Sequence, residues 1–386
     1  MNKGYSIFIS LVVALGGFLL GFDSAVISGA VGGITHYFSM TDWELGFSVG
    51  CVIFGAMAGN ISAGPLSDRF GRKKVLIVTA ILFTVSATWS ALATSYIEFV
   101  IARIIGGVGI GGAILIAPIY IAEVAPPKLR GSLVSLNQLN IVIGILAATI
   151  LNYYLVDLVS TGSAFASSIG MDDKNVWRWM LGLEILPAIL WFGLLFLIPE
   201  SPRWLMLNHS EEKAHSVIAK LVPPKEVESQ FKQIVDSLKS TEHSLSYMEQ
   251  MKALFSKSMR MALVIGVLMA AIQALSGMNA ILAFMPMIFQ QVGGGESAFL
   301  QSIWVSSIGA LFTVLGLLLI DKLGRRKILL GGLVTCAASM LLVTYGFYDA
   351  TYVIPLDGLA QMSATIDTSL LKPLAGVIYQ TDTEFK

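Results

Sequence analysis

Apolar residues gather in this chain into long runs, and short polar turns separate them. Nine runs lie at about 6–30, 44–66, 75–93, 97–121, 132–156, 179–198, 259–290, 300–320 and 328–348. Each supplies about the 20 residues that a helix needs to cross a bilayer core of about 30 Å. Trp43, Trp179 and Tyr348 stand at run ends, where amphipathic rings meet the headgroup layer. The turns have a pattern of their own. Asp68, Gly71, Arg72, Lys73 and Lys74 follow the second run, and Asp321, Gly324, Arg325, Arg326 and Lys327 follow the eighth. One string, D-x-x-G-R-[KR]-K, recurs in one setting, which predicts a second part that repeats the first.

One extensive polar segment, 199–258, interrupts the runs. Pro223 and Pro224 divide it, and Val227, Phe231, Ile234, Val235 and Leu238 then fall at helical spacing. Short amphipathic helices beneath a bundle are expected there, as a linker or as part of a gate. Lys and Arg crowd the turns after the second, fourth and eighth runs, and they are absent from about 31–43, 94–96 and 291–299. The positive-inside rule then puts the N-terminus in the cytoplasm and the loop 157–178 outside. The expected organisation is a six-helix bundle over 1–198, a cytoplasmic linker over 199–258, the first three helices of a second bundle over 259–348, and a polar extracytoplasmic tail over 349–386. Asp68 to the end of the sixth run is roughly 130 residues; the same count from Asp321 reaches roughly 450, so three further helices are expected.

Composition sharpens this. Charged residues make up 13% of the 386 and hydrophobic ones 55%, against about 25% charged in a soluble domain, so most of the chain belongs in lipid. With a formal net charge of zero and no basic face, nucleic acid is not an expected partner. His36, His209, His215 and His243 are scattered, and no metal site is expected. Cys51 and Cys336 lie inside apolar runs, as packing residues do. The first run is longer than a signal-peptide core of about 7–15 residues and holds Asp23, so it is read as a retained span.

Charges inside spans need a reason, because a carboxylate at a helix centre costs about 2.5–3.5 kcal/mol. Taking the first helix to end near Ala30, Asp23 lies roughly 10 Å below the outer surface, and Arg103 in the fourth lies roughly 9 Å below it. A pair at matching depth is expected. An Asp whose Arg partner swings away changes its proton affinity, which is a means of coupling a proton to transport; the alternative is a static helix–helix contact. Amides in lipid face a cavity or another helix. Gln138, Gln273 and Asn279 are read as substrate contacts, since an amide both donates to and accepts from sugar hydroxyls; Asn137 and Asn140 are read as packing. Glycines 106, 107, 109, 111 and 112 predict a close helix contact. Asp68, Arg72, Glu123, Arg130, Glu200, Arg203, Asp321 and Arg325 gather at helix ends on the cytoplasmic side, as a gate of opposite charges or as a solvated rim.

Three motifs now stand together. Gly64 to Lys73 matches G-x-x-x-D-R-x-G-R-[RK], repeated at Asp321–Arg326 with its leading glycine one residue early at Gly316. Glu123 and Arg130 match E-x6-R, and Pro199-Glu200-Ser201-Pro202-Arg203 matches P-E-S-P-R. On these the chain resembles the sugar porter family of the major facilitator superfamily, over about 5–348, and most of all its bacterial proton-coupled members. The resemblance implies an all-α integral membrane protein with that fold, inverted repeats, and helices 1–9 of an expected 12. It implies alternating access between two bundles, carrying a pentose, hexose or polyol with a proton as coupling ion and no other cofactor. Asp23 and Arg103 fall on the positions of the proton-taking carboxylate and its arginine. Gln138, Gln273 and Asn279 fall on sugar contacts, and Phe284 on the second member of a tyrosine pair that reads Ala283-Phe284 here. Ile272 replaces a family glutamine and Leu20 a family aromatic, so the pocket is less polar. A multi-pass protein of the inner (plasma) membrane, in contact with lipid and monomeric, is implied. A facilitator without proton coupling and a non-transporting sugar sensor are the alternatives; no nucleophile–base pair, metal motif or phosphate loop speaks for an enzyme.

Overall fold

The computed structural model describes residues 2–126, 129–208, 210–239, 255–256, 259–291, 297–348, 352–353 and 378–379. The nine apolar runs all become helices, and nine stretches of the described residues are long and apolar enough to cross a membrane. The first four spans are α1 (Asn2–Phe38), α2 with α3 (Asp42–Gly50 and Val52–Phe70), α4 (Arg72–Leu92) and α5 (Tyr96–Val124). The fifth is α6 (Arg130–Ser160), and a short α7 (Ala164–Ser168) follows. The sixth is α8 with α9 (Val176–Leu183 and Ile185–Leu195). Pro187 in the first turn of α9 has no N–H for the Leu183 carbonyl, which accounts for the break between them.

The segment after the sixth span forms α10 (Pro202–Leu207), α11 (Glu211–Leu221), a 3-10 turn at Pro224–Glu226 and α12 (Val227–Lys239). The amphipathic spacing after Pro224 is thus a helix, and Phe231, Ile234 and Val235 turn toward the core. The remaining spans are α13 with α14 (Arg260–Leu275 and Met278–Gln291), α15 (Ser297–Leu323) and α16 (Arg325–Tyr348). Two two-residue strands, β1 (Tyr352–Val353) and β2 (Ile378–Tyr379), pair antiparallel; most of the expected tail 349–386 lies outside the described residues. Contacts divide the chain into Met1–Leu317 and Leu318–Lys386.

Two boundaries differ from expectation. The first helix does not end near Ala30 but continues to Phe38, because Val31 and Ile34 keep its buried face going. The charged turns are also tighter than loops. Helix α3 runs through Asp68 to Phe70, Gly71 (φ 100°) makes the turn alone, and α4 starts at Arg72. Gly324 (φ 81°) separates α15 from α16 in the same way.

In the first unit α1 lies along α6, and α3 and α4 flank α5. Helix α3 meets α5 backbone to backbone. A Cβ on Gly55 or Gly59 would strike the Ile104 or Val108 carbonyl, and one on Gly107 or Gly111 the Val52 or Ala56 carbonyl. With no hydrophobic drive between helices in lipid, such close van der Waals approach is what holds them. The opposite face of α3, with Ile53, Phe54, Met57 and Ile61, is exposed, as a lipid-facing surface is. Two apolar clusters result. One, around Tyr120 and Trp191, lies toward the basic turns and takes in α11 and the start of α12. The other, around Phe22, Phe99 and Trp177, lies toward the opposite end and takes Phe284 of α14 against it.

Candidate functional site

Asp23 on α1 and Arg103 on α5 form a buried ion pair, with Arg103 Nη1 donating to Asp23 Oδ1. The expected depths reckoned Asp23 from a helix end near Ala30; α1 runs on for eight residues, and the pair forms all the same. A third ionisable group lies near the pair. Glu184, at the junction of α8 and α9, is 3% exposed and interacts electrostatically with both partners. Pairing Asp23 with Arg103 alone missed it. The signal was available: Glu184 is a carboxylate inside the apolar run 179–198, as Asp23 is inside 6–30. Arg103 Nε has no hydrogen-bond partner among the described residues. The site therefore sets one buried ion pair near a second buried carboxyl group.

Helix α6 holds α1 in register behind this site. Asn152 Nδ2 donates to the carbonyls of Ala25 and Val26, at 3.2 and 3.3 Å. Gly21 lies on the Ile141 carbonyl and Gly144 on that of Phe18, where side chains would collide. Asn137 is buried against Gly17, and its Oδ1 has no partner among the described residues.

Gln138 on α6, Gln273 near the end of α13 and Asn279 at the start of α14 are all exposed. Among the described residues their side-chain amides have no hydrogen-bond partner. The seventh span, expected as one helix, is broken between Gln273 and Asn279. Gly277 takes φ 75°, and Ser276 Oγ turns back to the Gln273 carbonyl at 2.7 Å. Discontinuous helices of this kind expose backbone polar groups in transporter sites. Phe284 is half-buried and packs on the cluster containing Phe22 and Ala25, rather than standing free.

At the basic end four of the predicted charges meet. Arg72 contacts Asp68 at 3.1 Å and Glu123 at 3.2 Å, and donates to the Ser67 carbonyl at 3.0 Å. Glu123 accepts from the Ser201 hydroxyl. Glu200 caps α4: its Oε1 accepts from the amides of Arg72 (2.9 Å), Lys73 (3.1 Å) and Ser201 (2.9 Å). A carboxylate is favoured at a helix N-terminus, where unpaired N–H groups point outward. Burial pushes the Glu200 carboxyl above its ordinary range, and the three amides and Arg72 pull it back. Trp204 Nε1 donates to the Asp68 carbonyl at 2.8 Å, and Tyr120 donates to that of Pro199 at 2.6 Å. Neither link was anticipated. Arg130 and Arg203 are exposed and have no ion-pair partner among the described residues. The side chains of Asp321 and Arg325 lie outside what is described. Among the described residues no group of His, Cys, Asp and Glu could hold a metal ion.

A family model described as "Sugar (and other) transporter" matches residues 9–361. The arabinose-proton symporter of Bacillus subtilis (strain 168) is 38% identical over 348 residues, which cover 90% of this chain and 72% of that protein. The glucose transporter GlcP of Staphylococcus epidermidis (strain ATCC 12228 / FDA PCI 1200) is 35% identical over 359 residues, covering 92% of this chain and 75% of that protein. A solved structure of the major facilitator superfamily proton:xylose symporter XylE, bound to 6-bromo-6-deoxy-D-glucose, superposes with a TM-score of 0.77 at 33% identity, covering 90% of this chain and 76% of that one.

Proposed function

From the premise that this chain belongs to the sugar transporter family of the major facilitator superfamily, we propose that it imports a pentose, hexose or polyol together with a proton. Members of the family are membrane transporters and not enzymes. Three relatives support the substrate class: one is named for arabinose, one for glucose, and one for xylose with a sugar analogue bound. The observation that carries proton coupling is the buried Asp23–Arg103 pair, with the Glu184 carboxyl buried near it.

With both carboxyl groups ionised these three side chains hold an uncompensated charge in a buried site, which is costly. One proton on either acid makes it neutral. A proton arriving at Asp23 weakens its hold on Arg103, so α1 and α5 shift more freely against each other. A bound sugar takes up the amides of Gln138, Gln273 and Asn279 across the broken seventh span, and Phe284 lines the apolar side. Proton and sugar together then favour the change of access. The proton is the coupling ion and no other cofactor takes part. The basic turns face the cytoplasm and so does the N-terminus, by the positive-inside rule. There the contacts among Asp68, Arg72, Glu123 and Glu200 brace the helix ends that close the inner side, with Arg130, Arg203, Asp321 and Arg325 available to join them. The protein works as a monomer in the inner (plasma) membrane, in contact with lipid.

The test is uptake of labelled arabinose, xylose, glucose and inositol into vesicles, with and without a proton gradient, by wild type and Asp23→Asn. Accumulation is expected for at least one of them, abolished in Asp23→Asn while downhill exchange persists. Equilibration without accumulation in the wild type would make the protein a facilitator, with Asp23 a structural residue. No uptake of any of the four would remove the proposed substrate class.

A further inference from the structure

Two hydroxyls 157 residues apart meet inside the first unit. Thr149 Oγ1 on α6 and Ser306 Oγ on α15 lie 3.2 Å apart, and both residues are buried. A hydroxyl has one proton. That of Thr149 goes to the Ile145 carbonyl of its own helix at 2.8 Å, so Ser306 is the donor to Thr149. This bond joins the fifth span of the first six to the eighth.

Its surroundings say what it does. Helix α13 has no buried residue. In α14 the buried residues are Ala283, Met285 and Pro286, and this helix lies against α1. In α15 they are Ala298, Phe299, Ser302 and Ser306, and no described residue beyond Ser306 is buried. The seam between the first six spans and the next two thus sits at the end opposite the basic turns. The Thr149–Ser306 bond stands at its inner limit, where burial stops.

We propose that Thr149 and Ser306 are positioning residues for the transport step, a hydroxyl latch that holds the outer end shut and sets how often it opens. This rests on the alternating-access reading above. Opening the outer side separates α6 from α15 and breaks the bond, and closing remakes it. A neutral hydrogen bond shifts such a two-state balance by about two- to tenfold.

The experiment measures amide hydrogen exchange on the purified protein in lipid nanodiscs, over 297–306 and 145–160, for wild type, Thr149→Val, Ser306→Ala, the double variant and Thr149→Ser. Exchange in both segments is expected to rise about two- to tenfold in each single loss variant. The double variant should rise no further, because one bond is lost once, and Thr149→Ser should match wild type, because it keeps the acceptor hydroxyl. The apparent KM for external sugar should fall by the same factor, since the outward-open fraction rises. Unchanged exchange in the single variants, or a double variant equal to the product of the singles, overturns the latch. Faster exchange in a protein that moves no sugar leaves the latch in place and counts against the transport reading instead.

Discussion

Gly71 lacks a side chain for two separable reasons. Its backbone (φ 100°, ψ 155°) lies in a region that only glycine occupies freely, worth about 1–3 kcal/mol to any other residue. A Cβ there would also run into the Glu200 carboxyl that caps α4. Gly324 shares the first reason (φ 81°) but has nothing within 4 Å of an added Cβ. Gly71→Ala is therefore expected to lower the thermal midpoint in detergent more than Gly324→Ala does. In a Glu200→Ala background the difference between the two should shrink, because the Cβ then has room. Equal losses in all backgrounds would leave the Glu200 contact without effect. The D-x-x-G-R string was legible as a repeat, but not that its glycine and the glutamate of P-E-S-P-R build one site from residues 129 apart, Gly71 and Glu200. Asp23 and Arg103 were legible because charge in lipid is costly. Glu184 obeys the same rule and was missed, since a run counted as apolar hides a single carboxyl.

Helix positions were legible to within a turn or so apart from the end of the first, which runs eight residues further, and their partners much less. Five glycines on the predicted fourth span announced a close contact, yet nothing said with what. Gly55 and Gly59 four residues apart on the second span complete it, and their backbones interlock with those of Gly107 and Gly111. Gly111→Ala is expected to lose several degrees of thermal midpoint and most correctly folded protein by size-exclusion chromatography, because backbone cannot move aside. Gly46→Ala on α2, with nothing within 4 Å, should lose little. If both behave alike, close approach of α3 and α5 is not what holds that pair. The starts of α2 and α5 were written in the sequence as well. Thr41 with Glu44, and Ser95 with Glu98, are capping boxes, each a hydroxyl residue followed three later by glutamate. The break in the seventh span was not, because Gly277 shows its left-handed turn only in the backbone.

Among the described residues the contacts divide into those within the first six spans and their linker and those that bridge to the next spans. The linker belongs to the first kind. Ser6 on α1 donates to the Leu221 carbonyl at the end of α11 at 3.1 Å, and Trp204 ties α10 to Asp68 at 2.8 Å. Thr149 with Ser306 is of the second kind. Alternating access demands that the first kind survive the cycle and the second be broken and remade, and no local pattern in the sequence tells one from the other. Two cross-links separate them, in a background with Cys51→Ala and Cys336→Ala. Thr149→Cys with Ser306→Cys, oxidised to a disulfide, is expected to stop sugar uptake and to release it on reduction. Ser6→Cys with Leu221→Cys, joined by a short bis-maleimide, should leave more than about half of the uptake. Arrest by the second link would mean that α11 moves against α1, making the linker a working part of the gate. Uptake that survives the first would mean that α6 and α15 stay together throughout, and the moving seam would have to lie elsewhere.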